Sequence, residues 1–135
     1  MAALIARLDP VGQFEAQVVF DTLTWGRRHV GQSRSAPPFK VELFEMFDDP
    51  FVRSEFARRQ QVFVPVPGRA TWLPTPEDVI VQKLRWDRNK DLDDARDVLA
   101  IQSTESLDMA YIEKWCAQHG TRARLQAALA GIPPL

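Results

Sequence analysis

Residues 74–86, PTPEDVIVQKLRW, and residues 91–99, DLDDARDVL, decide how this chain folds. Thr75 can cap a helix and Pro76 suits the first helical position, so the first segment predicts a helix that begins there. Apolar side chains recur at three- and four-residue steps in both segments: Val79, Ile80 and Leu84 in the first, and Leu92, Ala95, Val98 and Leu99 in the second. We therefore expect two short helices that each bury one face and expose a polar face.

Charged residues concentrate on these two polar faces. They stand at helical spacings and comprise Lys83, Lys90, Asp91, Asp94 and Asp97. Such faces could meet an anionic ligand, but a structural explanation also exists. Carboxylates in a first helical turn are stabilised by roughly 0.3–1 kcal/mol each through the helix dipole. Spacing alone favours the structural explanation over a catalytic cluster.

Composition places the chain among ordinary folded domains. Its 135 residues are 45% hydrophobic and 26% charged, which predicts a single domain over residues 1–135. The formal net charge of -1 argues against a protein that binds polyanions over its whole surface. Arg53, Arg58 and Arg59 nevertheless form a local basic cluster, so any contact with nucleic acid would be local.

The compartment is indicated by one cysteine and by the apolar segments. Cys116 has no second cysteine to pair with, which excludes an intrachain disulfide and favours a reduced, intracellular setting. No apolar run approaches the length of a membrane span, and the first ten residues lack the apolar block of a signal peptide. We expect a cytoplasmic protein without a membrane partner.

The order of predicted elements indicates an α+β fold, with mixed strands and helices over residues 1–74 and a helical part over residues 75–135. Outside the two helices above, the patterns predict helices at 1–8, 50–59, 107–119 and 121–130 and strands at 14–20, 39–47, 61–66 and 70–73. Residues 21–30 fit a short helix or an irregular segment, and residues 31–38 fit a loop. Bulky residues on both sides of the 39–47 strand favour a central position in a mixed sheet.

Common catalytic signatures are absent from the sequence, which contains no GxGxxG, P-loop, HExxH, paired CxxC or GxSxG motif. His29 and His119 are unconvincing as ligands, and a capping role at a helix end suits His119. The tryptophans at 25, 72, 86 and 115 fit core or interface packing. Glu42 differs because it is a carboxylate within an apolar strand. It could hold a divalent cation, or its face could simply be exposed to solvent.

Three segments resemble small bacterial nucleotidyltransferase-fold proteins, and related patterns occur in the abortive-infection type nucleotidyltransferase toxins. The segments are FKVELFEMFDDPFVRSEFARRQ at 39–60, LPTPEDVIVQKLRW at 73–86 and KDLDDARDVL at 90–99. The resemblance covers residues 38–119, and residues 1–9 resemble the helix that follows the family's metal-binding strand. It implies a nucleotidyltransferase-like mixed sheet flanked by helices, truncated at its beginning.

The resemblance also implies roles for particular residues. Lys40 and Glu42 match the family's third motif, in which a strand carboxylate binds Mg²⁺ and acts in catalysis, and Lys83 matches the lysine of the PEDVIVQKL helix. Residues matching the later KDxxD motif are Lys90, Asp91 and Asp94. With Lys40 and Lys83, they are the expected nucleotide- or phosphate-binding residues. No part of this sequence matches the family's Gly-Ser helix start or its Asp-x-Asp pair.

The missing Asp-x-Asp pair bears on the mechanism. Nucleotidyl transfer through two metal ions needs several carboxylates around the triphosphate, and Glu42 alone cannot supply them. We therefore expect a domain that lacks turnover as an isolated chain and binds nucleotide or phosphate. The alternatives are an active, toxin-like enzyme completed by carboxylates from a partner chain, and a non-catalytic protein-interaction domain.

Truncation of a sheet also predicts a partner. Removing early strands exposes a sheet edge and apolar faces that those strands would cover. We expect self-association through that edge first and a separate partner protein second. Substrate, acceptor and physiological role are not specified by the sequence.

Overall fold

The computed structural model describes residues 1–20, 26–63, 68–86 and 88–133. The chain divides into two compact units, Met1–Asp48 and Asp49–Leu135. Helices and β-sheets occur in the described residues, so the predicted α+β class is confirmed. The expectation of one domain stays a prediction. None of the described helices is long and apolar enough to cross a membrane.

The first unit is a small antiparallel sheet preceded by a short helix. Its elements are α1 (Ala2–Leu8), β1 (Gly12–Phe20), β2 (Arg27–Ser33) and β3 (Lys40–Phe44). The strands lie in the order β1-β2-β3, and both neighbouring pairs are antiparallel. Short connections between consecutive strands favour this order, because they let each strand pair with the strand before it.

Three expectations about this unit were wrong. Residues 27–33 form the middle strand, not a helix or irregular segment followed by a loop, because pairing on both sides overrides their weak strand pattern. The strand within 39–47 lies at the sheet edge rather than in its centre, and the sheet is antiparallel rather than mixed. Of the 21–30 segment, residues 21–25 fall outside the described part of the chain.

Strand register gives the two faces of this sheet different chemistry. Residues directly opposite each other in antiparallel strands point to the same face. Gly31 pairs with both Phe14 and Val41, and these residues belong to one, largely apolar face. Val30 pairs with Glu42 and Gln32 pairs with Lys40 on the other face, which is polar. Glu42 and Lys40 therefore share the polar face.

The second unit is mainly helical. Its elements are α2 (Pro50–Arg58), β4 (Gln60–Phe63), β5 (Ala70–Leu73), α3 (Pro76–Trp86), α4 (Asn89–Gln102), α5 (Met109–His119) and α6 (Arg122–Ala130). Strands β4 and β5 form a separate antiparallel pair, and the Gly68 that precedes β5 has a positive φ of 72°. Residues 64–67, including Pro67 of the predicted turn, lie outside the described residues.

A buried core joins the helices of the second unit. Side chains at its centre include Phe51, Ile80, Leu84, Leu99, Ile112 and Leu125. Core residues of one helix recur at three- or four-residue steps, as Ile80 and Leu84 do in α3, which places them on the inward stripe of that helix. Cys116 belongs to this core, as its place in the apolar stripe of α5 predicts.

Local capping explains where these helices begin and end. Asp49 Oδ1 accepts hydrogen bonds from the backbone N–H groups of Phe51 (2.8 Å) and Val52 (3.2 Å) at the start of α2. Thr75 Oγ1 accepts one from Asp78 N (3.3 Å) at the start of α3. Gly120 ends α5 in the left-handed conformation, with φ 70°. The sequence predicts all three caps, because Asp49 and Thr75 each stand directly before a proline that suits a first helical position and Gly120 follows the predicted 107–119 helix.

Candidate functional site

Helices α3 and α4 bring together three of the five predicted charged residues, while Lys90 and Asp97 are exposed on α4. Lys83 on α3 places its Nζ 2.5 Å from Asp94 Oδ2 and 3.5 Å from Asp91 Oδ1, both on α4. The two polar faces thus contact each other, whereas the contact with an anionic ligand that their sequence suggested stays a prediction. The Lys83 ammonium bridges two carboxylates, so it also ties α3 to α4.

Asp91 has a structural role at the start of α4. Its side chain is 0% exposed and accepts hydrogen bonds from Arg88 Nε (2.8 Å), Nη2 (3.0 Å) and backbone N (3.1 Å). The hydrogen bond from the Arg88 side chain lowers the pKa of Asp91, against the opposing effect of burial. This carboxylate is ionised and satisfied within the protein.

Trp86 and Arg88 add an aromatic ring and a second cation to this surface. Arg88 Cζ lies 4.6 Å from the centroid of the Trp86 ring, and Lys83 Nζ lies 5.9 Å from it. Lys90, one residue before Asp91, is exposed. We use the name Lys83 cluster for Lys83, Trp86, Arg88, Lys90, Asp91 and Asp94.

The sequence did not single out Trp86 or Arg88 as site residues. Trp86 is the last residue of α3, and Arg88 directly precedes α4, whose first turn is acidic. The sequence did contain one indication of their role: an aromatic residue stands two positions before an arginine, directly ahead of the KDxxD pattern. The Lys83 cluster carries three cationic and two anionic side chains, which suits an anion such as phosphate.

Glu42 and Lys40 lie together on the polar face of the sheet in the first unit. Lys40 Nζ is 2.9 Å from Glu42 Oε1, and Arg28 Nη1 is 3.3 Å from the same oxygen. Two cationic side chains thus neutralise this carboxylate. Within the described residues, no three His, Cys, Asp or Glu side chains are arranged to hold a metal ion.

A cavity of about 570 Å³ lies beside Lys40 in the first unit. Gln13, Phe14 and Gln32 are among the residues that line it. Lys40 is exposed, so its ammonium can reach solvent and still pair with Glu42. The Lys40–Glu42 pair lies in the first unit, whereas every member of the Lys83 cluster lies in the second.

A buried polar network in the second unit was not expected from the sequence. Asp78 is fully buried and accepts hydrogen bonds from Thr75 Oγ1 (2.7 Å), Tyr111 Oη (2.5 Å) and Arg58 Nε (3.4 Å). Burial, assisted by the bond to Asp78, raises the pKa of Tyr111 to about 12. Ser54 completes the network through a 3.0 Å contact with the Tyr111 hydroxyl.

Glu77 and Arg85 lie off the apolar stripe of α3, so the sequence predicts that they face outward, yet both contribute to this region. Glu77 is buried and pairs with Arg58 Nη2 at 3.2 Å, and it also accepts a hydrogen bond from Asp108 N at 3.2 Å. Arg85 Nη2 lies 2.5 Å from Asp49 Oδ2, the carboxylate that caps α2. Both ion pairs hold α2 against α3, and the hydrogen bond from Asp108 N joins the start of α5 to α3, which explains why these polar side chains turn inward.

The charged form of the Glu55 carboxylate is disfavoured by its surroundings in this region. Burial and the nearby charge of Asp78 raise its pKa to about 7, while Arg85 opposes the rise. The Glu55 side chain is half-buried on α2. It is therefore largely protonated in mildly acidic solution and ionises near neutral pH.

The two histidines have different surroundings. His29 Nε2 lies 2.8 Å from Glu45 Oε1 in the first unit, and this hydrogen bond lowers the pKa of Glu45. In the second unit, the His119 ring packs against Phe51 and Trp115, with centroid distances of 5.3 and 5.7 Å. Burial lowers the pKa of His119, so aromatic packing replaces the cationic capping role expected for it.

Comparisons of the chain with protein-family models, with curated proteins and with solved structures found no match.

Proposed function

We propose that this chain is a nucleotidyltransferase-like domain that binds the phosphate groups of a nucleotide at the Lys83 cluster and performs no transfer by itself. The observation that carries the proposal is the convergence of Lys83 and Arg88 on the Trp86 ring. Two cations beside an indole match the two parts of a nucleotide, since phosphates attract the cations and a base can stack on an aromatic ring.

The position of the charges within the cluster supports this role. Lys83 is shared by Asp91 and Asp94, and Asp94 is the more exposed of the two carboxylates. A phosphate that approaches Lys83 competes with Asp94, while Asp91 stays bound to Arg88. Lys90 is exposed on the same helix and supplies a further cation for the phosphate.

The proposed lack of turnover rests on Glu42. Its carboxylate is held by Lys40 and Arg28, so it would have to release two cations before it could bind Mg²⁺. A single carboxylate would also leave most of the charge of a magnesium triphosphate complex without ligands from the protein. Mg²⁺ in this proposal enters with the nucleotide.

Isothermal titration calorimetry with ATP, with and without Mg²⁺, tests the binding. We expect saturable binding by the wild-type chain and weaker binding by Lys90→Ala, which removes an exposed cation. Lys114→Ala is the matched control, because Lys114 is an exposed lysine on α5 of the same unit. Absence of saturable binding, or equal losses in both variants, would contradict the proposed site.

Transfer is tested separately with radiolabelled nucleoside triphosphates, Mg²⁺ or Mn²⁺ and candidate acceptors. Saturable transfer that disappears in Glu42→Ala and persists in Glu15→Ala, an exposed carboxylate of β1, would refute the proposed lack of turnover. That result would favour the alternative of an active, toxin-like enzyme. Activity only after addition of a partner protein would indicate an enzyme completed by another chain.

A second candidate function is a protein-interaction domain without a nucleotide site. It is favoured by the capping of α4, in which Asp91 and Arg88 satisfy each other through both backbone and side chain. This arrangement explains the acidic KDLDDARD stretch through helix stability alone. The calorimetric titration separates the two candidates, since only the first predicts nucleotide binding.

A further inference from the structure

The β4–β5 hairpin exposes two aromatic rings on one face. Gln61 pairs with Trp72 and Phe63 pairs with Ala70, so Phe63 and Trp72 are diagonal neighbours on the same side. Phe63 is 80% exposed and Trp72 is 55% exposed. The exposure of Trp72 contradicts the core position that the sequence allowed for it, while packing in an interface stays a prediction. Large aromatic side chains left in solvent at this spacing call for an occupant.

Arginine is interleaved with these rings. The guanidinium of Arg59 lies 4.8 Å from the centroid of the Trp72 ring and 3.8 Å from that of Phe56, which is itself 52% exposed. Arg59 also donates to the backbone carbonyl of Phe56. These contacts hold the guanidinium beside the hairpin, with an aromatic surface on each side of it.

The charge around this face is positive although the whole chain carries -1. Residues 50–73 contain four arginines and one carboxylate, Glu55. Arg58 pairs with Glu77, whereas two other arginines are exposed: Arg53, which precedes the hairpin in sequence, and Arg69, which directly precedes β5. A local positive field beside exposed rings complements a polyanion that also offers flat groups for stacking.

We propose that the Phe63–Trp72 face of the hairpin binds single-stranded nucleic acid. Bases stack on the two rings, and Arg59 and Arg69 neutralise the adjacent phosphates. The single strand is favoured over a duplex because its bases are free to stack on side chains. A second copy docked symmetrically on this face would bring the same arginines together, so charge favours nucleic acid over self-association through the hairpin face. This site is separate from the Lys83 cluster and does not rest on nucleotide binding there.

Fluorescence anisotropy of labelled decamers of deoxythymidine and of uridine, at low and high salt, measures the proposed binding. We expect Phe63→Ala and Trp72→Ala each to weaken it by about tenfold or more, because each removes one stacking surface. Arg59→Gln should weaken binding and also reduce its dependence on salt. Thr71→Ala is the matched control, since Thr71 lies on the opposite face of the same hairpin, and it should change the affinity by less than about twofold.

Several results would overturn this assignment. One is the absence of saturable binding at a protein concentration of roughly 10⁻⁴ M in low salt, where even non-specific binders associate. A second is equal loss of affinity in Thr71→Ala and in the aromatic variants. A third is a concentration-dependent dimer in analytical ultracentrifugation that is lost in Trp72→Ala, while the affinity of that variant for the oligonucleotide equals that of the wild type. Circular dichroism of each variant verifies that the fold is retained, and Arg59→Gln tests the face without removing a ring.

Discussion

Replacement of Glu55 by glutamine should make the stability of the protein less sensitive to pH. The pKa of Glu55 is raised from its ordinary value to about 7, first by burial and then by the charge of Asp78. Folding therefore favours the protonated carboxyl. Glutamine keeps nearly the same shape but cannot ionise, so it preserves the packing of α2 and removes the charge.

The sign and size of this effect follow from proton linkage. A carboxyl whose folded pKa is raised contributes stability that is fully present below its unfolded pKa of 4.5 and is lost as pH rises through about 7. At about 1.4 kcal/mol per pKa unit, the rise corresponds to roughly 3 kcal/mol. Partial exposure of Glu55 to solvent reduces this to about 2 kcal/mol. Glu55→Gln should thus be more stable than wild type by about that amount at pH 8 and nearly equal to it at pH 4.

Urea unfolding at pH 4, 6 and 8, followed by circular dichroism, measures the free energy of unfolding of both proteins. Glu113→Gln is the matched control, because Glu113 is exposed on α5, and its difference from wild type should stay small at every pH. A gap between Glu55→Gln and wild type that is the same at pH 4 and pH 8 would refute this reasoning. So would a variant that is less stable than wild type at pH 8.

Three further substitutions or modifications test other parts of the structure. Gly31→Ala should destabilise the first unit by about 1–3 kcal/mol in thermal unfolding, because the added Cβ would lie 2.6 Å from Phe14 Cδ1. Gly12→Ala is the control, and it should lose less stability because the shortest contact of its added Cβ is 3.3 Å. Asp91→Asn should cost about 1–3 kcal/mol at pH 7, and the loss should shrink as pH falls below about 4, since the lowered pKa of Asp91 contributes stability only above that range. Cys116 should react with a thiol reagent far more slowly in the native protein than in urea, because it is fully buried and burial raises its pKa. Equal reaction rates would contradict the position of Cys116 in the core of the second unit.

Features that depend on nearby residues were predictable from the sequence. The caps at Asp49, Thr75 and Gly120 form hydrogen bonds with backbone groups only a few residues away in the sequence. Residue type and position therefore suffice to predict them. The apolar stripes of the helices were predictable for the same reason. The helical spacing of Lys83, Asp91 and Asp94 was also visible in the sequence, whereas the ion pairs that join them across α3 and α4 were not predicted.

Features that depend on distant residues were missed. Residues 27–33, RRHVGQS, have little strand character alone and form β2 because β1 and β3 pair with both of its edges. The edge position of β3 depends likewise on which strand lies beside it. Asp78 became buried because Tyr111, 33 residues later, and Arg58, 20 residues earlier, supply its hydrogen bonds. Sequence spacing carries no direct signal for partners at such distances.

The central claim is that a nucleotide binds at the Lys83 cluster. Heteronuclear NMR of the labelled chain during titration with ATP and Mg²⁺ locates the bound ligand directly. We predict that the largest shifts appear at the Trp86 indole N–H and at the backbone amides of Lys83, Arg88 and Lys90. Unchanged signals throughout this cluster, with or without shifts elsewhere in the chain, would contradict the claim.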